Sequence, residues 1–324
     1  MITVKTPSGE TRIHIGENAL DAIKTDSLDV CLIADSRVPQ AFIERVAKVV
    51  RPVHTLALAG GESIKTLEVY GDIAKEMLGN GLSKASLIVA VGGGTLIDMA
   101  GFVASTYHRG IPFIAVPTTL LAMVDASVGG KTALNVDHHK NVIGAFHSPS
   151  AVHIVPSVLD SLPERELRSG YAEIIKMALL KDRDLFDALQ GPHDLTDVIR
   201  RSVEIKRDIV ERDFRDQGIR HQLNYGHTIG HALEAMHQGK YTHGECVAFG
   251  MRKMAKGKPF EKALLDTLAA HQLLIDIPYD KDALIAFIRA DKKRRQDIIS
   301  LAIVDHVGEA RVETVPFDTI KNYL

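Results

Sequence analysis

The sequence predicts an α/β, Rossmann-like N-terminal domain followed by a mainly α-helical C-terminal domain, and three features carry that expectation. Short apolar, β-branched runs alternate with amphipathic stretches through the first half. Such runs, separated by helices, belong in a parallel sheet covered on both faces. Beyond Pro163 the spacing of apolar residues turns mostly helical. Finally, 324 residues exceed what one core usually serves, so two domains are expected, 1–154 and 155–324.

In chain order, Val30 to Ala34 reads as a buried strand, and Pro39 to Val50 as the helix after it, with Phe42, Val46 and Val49 on one face. Val53 to Leu58 is the next strand and runs into Gly60-Gly61-Glu62; Leu67 to Gly79 is helical. Leu87 to Val91 is an all-apolar strand followed directly by Gly92-Gly93-Gly94-Thr95, a helix from Thr95 to Ser105, and a strand from Phe113 to Val116 closed by Pro117. The character changes between Pro149 and Pro163. Helices are then expected over Glu164 to Leu180, Asp194 to Arg212, Arg220 to Met236, Glu245 to Met254, Glu261 to His271 and Asp282 to Ala290. Ile298 to Val304 and Ala310 to Val315 read as a hairpin turning at Gly308. A cleft is expected between the two domains.

Composition excludes several function classes. With 45% hydrophobic and 25% charged residues and a formal net charge of -2, neither nucleic acid nor a membrane surface is an expected partner. Lys292 to Arg295 is the nearest approach to a basic run, too short for a binding tail. No apolar run nears the ~18 residues of a membrane span. Cys31 and Cys246 read as reduced, packed thiols, and the start Met-Ile-Thr-Val-Lys lacks a signal-peptide pattern. The expected location is the cytoplasm.

The densest cluster of candidate metal ligands lies between Arg220 and Glu245. His227 and His231 stand four apart, which on a helix stacks them on one face, and His243 follows a glycine-containing stretch. Two imidazoles at that spacing resemble a zinc-binding helix, but Thr228 stands where a metalloprotease carries its glutamate. A carboxylate plus two imidazoles with an open position is the pattern of a catalytic zinc; spacing alone leaves open which three residues ligate. Glu173 and Lys176, three apart on an apolar helix, are either a surface ion pair or buried charges needing a partner or a metal.

In the first domain Gly92-Gly93-Gly94 sits where a strand meets a helix, which suits a pyrophosphate or simply a tight turn. Asp98 lies one turn into that helix, and Pro117-Thr118-Thr119 puts two hydroxyls at a strand end. The run Asp125 to Lys131 reads as an exposed, flexible glycine loop presenting a cation. With Arg109, Lys140 and Asn141 it suggests an anionic substrate, the alternative being ordinary solvated lysines.

Together these motifs resemble one family, the 3-dehydroquinate synthases among the sugar-phosphate cyclases. The resemblance runs through Gly60-Gly61-Glu62 with Lys65, Gly92 to Gly94, Arg109-Gly110, Pro117 to Leu121, Asp125 to Lys131, Lys140 to Gly144, Gly170 to Lys176, Asn224 to His231 and His243 to Glu245. It implies conversion of the seven-carbon phosphate DAHP to 3-dehydroquinate and phosphate, with NAD used catalytically and zinc, or cobalt in its place, as the metal. The implied metal ligands are Glu173, His227 and His243. NAD would meet Asp35, Glu62, Lys65, Gly92, Gly93, Gly94, Asp98, Thr118 and Thr119. The substrate phosphate would meet Lys131, Asn141, His231 and Arg109, the last reaching across a homodimer interface, with Lys140 a further substrate contact. The carboxylate would meet Lys206, Arg220 and Lys292 or Lys293, while Asp125, Lys176 and Asn224 line the reacting ring. Inosose-forming cyclases typically carry an acid where Asn224 stands. Two positions depart from the family pattern: Ile97 replaces a glycine, and Arg37 an asparagine on the adenosine side.

Overall fold

Two strands, Val30–Asp35 and Leu87–Gly92, are buried at every position, as strands covered on both faces must be. They are neighbours in a seven-stranded sheet in a computed structural model that describes residues 1–25, 29–137, 139–291 and 297–324. In chain order the first unit contains β1 (Ile2–Thr6), β2 (Gly9–Ile15), β3 (Val30–Asp35), α1 (Gln40–Val50), β4 (His54–Leu58), α2 (Leu67–Gly79), β5 (Leu87–Gly92), α3 (Gly94–Thr106), β6 (Phe113–Pro117), β7 (Lys131–Val136), β8 (His139–Phe146) and β9 (Ala151–Ile154). The sheet order is β1-β2-β9-β6-β5-β3-β4. Every pairing in it is parallel except that of β1 with β2. The antiparallel pair was not expected, although Ile2 and Val4 alternate with exposed or half-buried neighbours as an edge hairpin should.

The chain divides at Pro163/Glu164 instead of the expected 154/155. Val155 belongs to the core of the first unit, and the 3-10 turn Pro156–Ser161 is held there by Ser157, whose amide donates to Glu17 Oε1 at 3.1 Å. A second correction concerns the stretch before Lys131. Val128, Gly129 and Gly130 are buried, and positive φ values of 109° and 67° at the two glycines turn the chain tightly into β7. The expected flexible loop is an ordered entry to a hairpin, β7 with β8, that packs on α3.

The second unit contains α4 (Glu164–Lys181), α5 (Arg183–Ala188), α6 (Leu195–Arg212), α7 (His227–Met236), α8 (His243–Met254), α9 (Glu261–Ala270), α10 (Lys281–Asp291) and the hairpin β10 (Ile298–His306) with β11 (Glu309–Pro316), which turns at Gly308 as expected. The single helix expected over Arg220 to Met236 is broken. A 3-10 turn, Ile219–Asn224, ends before Gly226, whose φ of +78° starts α7 afresh. A methyl group at Gly226 would lie 2.7 Å from Met251 Cγ and 2.8 Å from the Val247 carbonyl, so contact with α8 dictates the break. His243, expected in a loop, is the first residue of α8, behind a capping box made by Thr242 and Glu245.

One buried group gives the first unit a pH dependence. His153 on β9 is 1% exposed, donates from Nδ1 to the Ala19 carbonyl at 2.7 Å, and lies flat on His14 with ring centres 5.0 Å apart. Burial, with a smaller contribution from His14, lowers its pKa from 6.5 to about 4. The unfolded chain therefore binds the extra proton first, and stability present above pH 6.5 is lost as pH falls towards 4. The full effect is about 3 kcal/mol at about 1.4 kcal/mol per pKa unit. Urea unfolding of this unit is expected to weaken between pH 7 and pH 4.5, with a shallower slope in His153→Gln; equal slopes in both proteins would contradict the assignment.

Candidate metal and cofactor sites

The centre of the second unit is a carboxylate with no exposed surface. Glu173 on α4 places Oε2 against the ammonium of Lys176, itself 1% exposed, one helical turn on. Oε1 is buried without a hydrogen-bond partner among the described residues. It faces His227 Nε2 at 3.4 Å and His243 Nε2 at 3.5 Å. Metal bonds of about 2.1 Å put the ligand atoms of a tetrahedral site roughly 3.4 Å apart, so Oε1 stands at coordination-shell distance from each of the two imidazole nitrogens.

The outer side of each imidazole is also fixed. His227 Nδ1 donates to the Tyr225 carbonyl at 3.2 Å, and His243 Nδ1 to Glu234 Oε2 at 3.2 Å. Both rings thus turn Nε2 towards Glu173, with the hydrogen-bonded backing that metal-bound histidines usually have. Sequence reasoning missed Glu234, although it lies seven residues after His227 on the same helix face. Close packing makes the arrangement: a methyl group at Gly244 would fall 2.4 Å from the Ser169 carbonyl, so only glycine lets the start of α8 touch α4.

The electrostatics agree with a cation at this point. Burial alone would raise the Glu173 carboxyl, but the Lys176 ammonium and the two imidazoles hold it well below its usual range. His227 is driven well below 6.5 by burial and by Lys176. For His243 burial acts downward, yet the Glu173 and Glu234 carboxylates prevail and raise it to about 10. A proton held between two carboxylates is the charge a divalent ion would replace. The third imidazole, His231, is exposed and has its ring centre 5.1 Å from that of His227. The nitrogens of the three histidines lie within 4.8 Å of one another. A three-imidazole site is thus the alternative to the Glu173 set.

Two buried cations lie in the same unit. Lys206 on α6 and Arg220 in the 3-10 turn are 5% and 4% exposed, and both elements pack on α4. Arg220 donates from Nη1 to the Phe214 carbonyl at 2.8 Å. Asn224 ends the same turn. Lys292 and Lys293 lie outside the described residues.

In the first unit a second cluster surrounds the glycine turn. The N-terminus of α3 has no side-chain cap, and Gly93 lies so close to Thr119 that a methyl group would come within 3.1 Å of its Cγ2. Backbone amides are therefore presented as a phosphate cradle requires. Lys65, 3% exposed, donates from Nζ to Asp98 Oδ2 at 2.7 Å and to Asn141 Oδ1 at 2.5 Å. Burial raises the Asp98 carboxyl against the pull of that ammonium. Glu62 accepts from Asn135 Nδ2 at 2.9 Å and from Thr95 Oγ1 at 3.5 Å, and the Asn141 amide donates to Asn135 Oδ1 at 2.9 Å. Thr118 is buried, its amide on the Gly92 carbonyl at 3.0 Å.

This cluster holds Glu62, Lys65, Asp98 and the glycines as expected together, and adds Asn135, which no motif pointed to. Asn141, expected on the substrate phosphate, stands with the cofactor-side residues. Asp125 lies in the turn Ala122–Ala126, while Lys131 and Lys140 are exposed on the β7–β8 hairpin. Arg109 is not brought in. It follows the C-terminus of α3, whose 13 residues separate it from the Gly93 end by roughly 20 Å at about 1.5 Å per residue.

The chain matches the family model described as 3-dehydroquinate synthase N-terminal over residues 55–169 and the one described as 3-dehydroquinate synthase C-terminal over residues 170–294. It is 38% identical to the 3-dehydroquinate synthase of Listeria monocytogenes serovar 1/2a, covering 100% of this chain and 97% of that protein. The chain belongs to the 3-dehydroquinate synthase family. The enzyme of that name from Halalkalibacterium halodurans is 37% identical over 91% of this chain and 88% of its own.

Among solved structures, a 2-deoxy-scyllo-inosose synthase complexed with carbaglucose-6-phosphate, NAD+ and Co2+ has a TM-score of 0.88 at 27% identity, covering 99% of this chain and 98% of its own. A 2-epi-5-epi-valiolone synthase from Streptomyces hygroscopicus with NAD+ and Zn2+ bound has 0.86 at 26%, covering 100% and 97%. A glycerol dehydrogenase from Schizosaccharomyces pombe, at 0.62 and 17% with coverage of 91% and 84%, shares the fold.

For this 3-dehydroquinate synthase family member, zinc retained after dialysis separates the two ligand sets. His243→Ala is expected to lose the metal and His231→Ala to keep it. Glu234→Gln should weaken binding by about tenfold to a hundredfold through its imidazole. Metal loss in His231→Ala with retention in Glu173→Gln would favour the three-imidazole set.

Proposed function

We propose that the protein converts DAHP to 3-dehydroquinate and phosphate in the cytoplasm, using catalytic NAD and a divalent cation, Zn2+ or Co2+. The observation that carries the reading is the set of Glu173, His227 and His243, with Oε1 at coordination-shell distance from both imidazole nitrogens, in a chain of this family. Bound NAD would accept and return a hydride, and the cation would polarise the substrate oxygen at the reacting carbon. The NAD+ with Co2+ or Zn2+ in the two related cyclases supports that pair of cofactors.

The chain's own residues supply binding and orientation. Lys176, paired with Glu173 Oε2, keeps the carboxylate ionised so that Oε1 can serve the cation. Lys206, Arg220 and Lys292 or Lys293 would take the substrate carboxylate, since a buried ammonium or guanidinium is stabilised by an anion. Lys131, Lys140, Asn141 and His231 would take the phosphate, and Asp125 and Asn224 would line the ring. Asp35, Glu62, Lys65, Gly92 to Gly94, Asp98, Thr118 and Thr119 would hold NAD. Fixing both ends of the substrate favours ring closure after phosphate departs.

Arg109 would come from the second subunit of a homodimer. Its position beyond the far end of α3 from the glycine turn supports supply from a partner chain, and the neighbouring hairpin exposes Val142 and Ile143.

Incubation with DAHP and substoichiometric NAD+ is expected to release phosphate without net NADH. Steady NADH accumulation would instead mark a polyol dehydrogenase. Arg109→Ala and His227→Ala are each expected to be inactive, but mixed and allowed to exchange subunits they should recover about a quarter of wild-type activity, because half of random dimers hold one complete site. No recovery, with exchange verified, would place Arg109 within its own subunit's site.

A further inference from the structure

The unexplained feature of the first unit is an arginine lying on the carboxylate beside the glycine turn. β3 and β5 are neighbours, with Ala34 beside Val91. The end of β3 therefore opens next to Gly92, where a methyl group would lie 3.2 Å from Asp35 Cβ. In nucleotide-binding sheets a carboxylate beside the glycine turn takes the ribose 2′-hydroxyl of NAD, whereas an arginine there accommodates the 2′-phosphate of NADP. This chain carries both groups, joined.

Arg37 donates from Nε to Asp35 Oδ1 at 3.1 Å and from Nη2 to Oδ2 at 2.8 Å. The amides of Arg37 and Gly60 donate to Oδ1 at 3.0 and 3.2 Å. The surroundings are built for the pair, since a methyl group at Gly60 would fall 1.9 Å from Asp35 Oδ2 and 2.3 Å from Arg37 Nη2. The Asp35 side chain is 6% exposed and that of Arg37 64%. An arriving ligand therefore meets guanidinium first, over a carboxylate whose charge is already compensated.

We infer that the adenosine end of this cofactor site accepts a 2′-phosphate, so that the protein binds NADP+ as well as NAD+. The inference rests on the assignment of the first unit as the NAD site. An uncompensated Asp35 would repel a phosphate dianion; the Asp35–Arg37 pair has no net charge, and its planar guanidinium offers donors matched to phosphate oxygens.

Isothermal titration calorimetry of the zinc-loaded protein with NAD+ and with NADP+, at one ionic strength, tests this without turnover. The two dissociation constants are expected to agree within about tenfold. Arg37→Asn should raise the NADP+ constant by about tenfold or more while changing the NAD+ constant by less than about threefold. Wild-type binding of NADP+ more than about tenfold weaker than NAD+ would overturn the inference and leave the NAD site standing. An equal loss of both nucleotides in Arg37→Asn would also overturn it, making Arg37 a general adenosine contact. Binding of neither nucleotide to the wild type would overturn the NAD assignment together with the inference.

Discussion

A carboxylate oxygen buried with no hydrogen-bond partner among the described residues is the constraint on which the second unit depends. Removing a charged carboxylate from water costs several kcal/mol, recovered only by close opposite charge and hydrogen bonds. Lys176 compensates one oxygen of Glu173. The other faces two imidazole nitrogens whose rings are held from behind by Glu234 and the Tyr225 carbonyl. That arrangement needs three helices at close range, hence the glycines where α7 meets α8 and where α8 meets α4. The break before α7 has the same origin, because a continuous helix could not satisfy the contact of Gly226 with Met251 and Val247.

The first unit obeys a different rule. Its strands β3, β5 and β6 are buried at every position, so polar chemistry there is confined to strand ends, where parallel sheets of this kind bind ligands. Asp35 ends β3, Glu62 follows β4, the glycines end β5, and Thr118 and Thr119 follow β6. Lys65 links this edge to the β7–β8 hairpin through Asn141, which places the hairpin beside it. The ion pair of Asp35 with Arg37 belongs to the same edge and tunes its charge.

Much of this was legible in the sequence, where local pattern and tertiary demand agree. Leu67–Gly79 has the expected bounds because Thr66 caps it and Asn80 ends it locally. The run from β5 through Gly92-Gly93-Gly94 into α3 is equally local. The break at Tyr225-Gly226 was not legible, because contacts with a helix some twenty residues later impose it. Asn135 was hidden because no strand or motif was expected between Lys131 and Lys140. His227 and His231 suggested a metal from spacing alone, whereas Glu173, more than fifty residues earlier, stood out only as one of two charges on an apolar helix and joined the ligand set through family resemblance. Glu234 was accessible in principle by its helix face but becomes meaningful only once His243 packs beside it.

The identity of the metal's protein ligands bears most directly on all of this. In a crystal structure of the zinc-loaded protein, with the ion located by anomalous scattering at the zinc edge, the expected ligands are Glu173 Oε1, His227 Nε2 and His243 Nε2, with His231 outside the shell. Zinc bound by His227, His231 and His243, with Glu173 left to Lys176 alone, would contradict it.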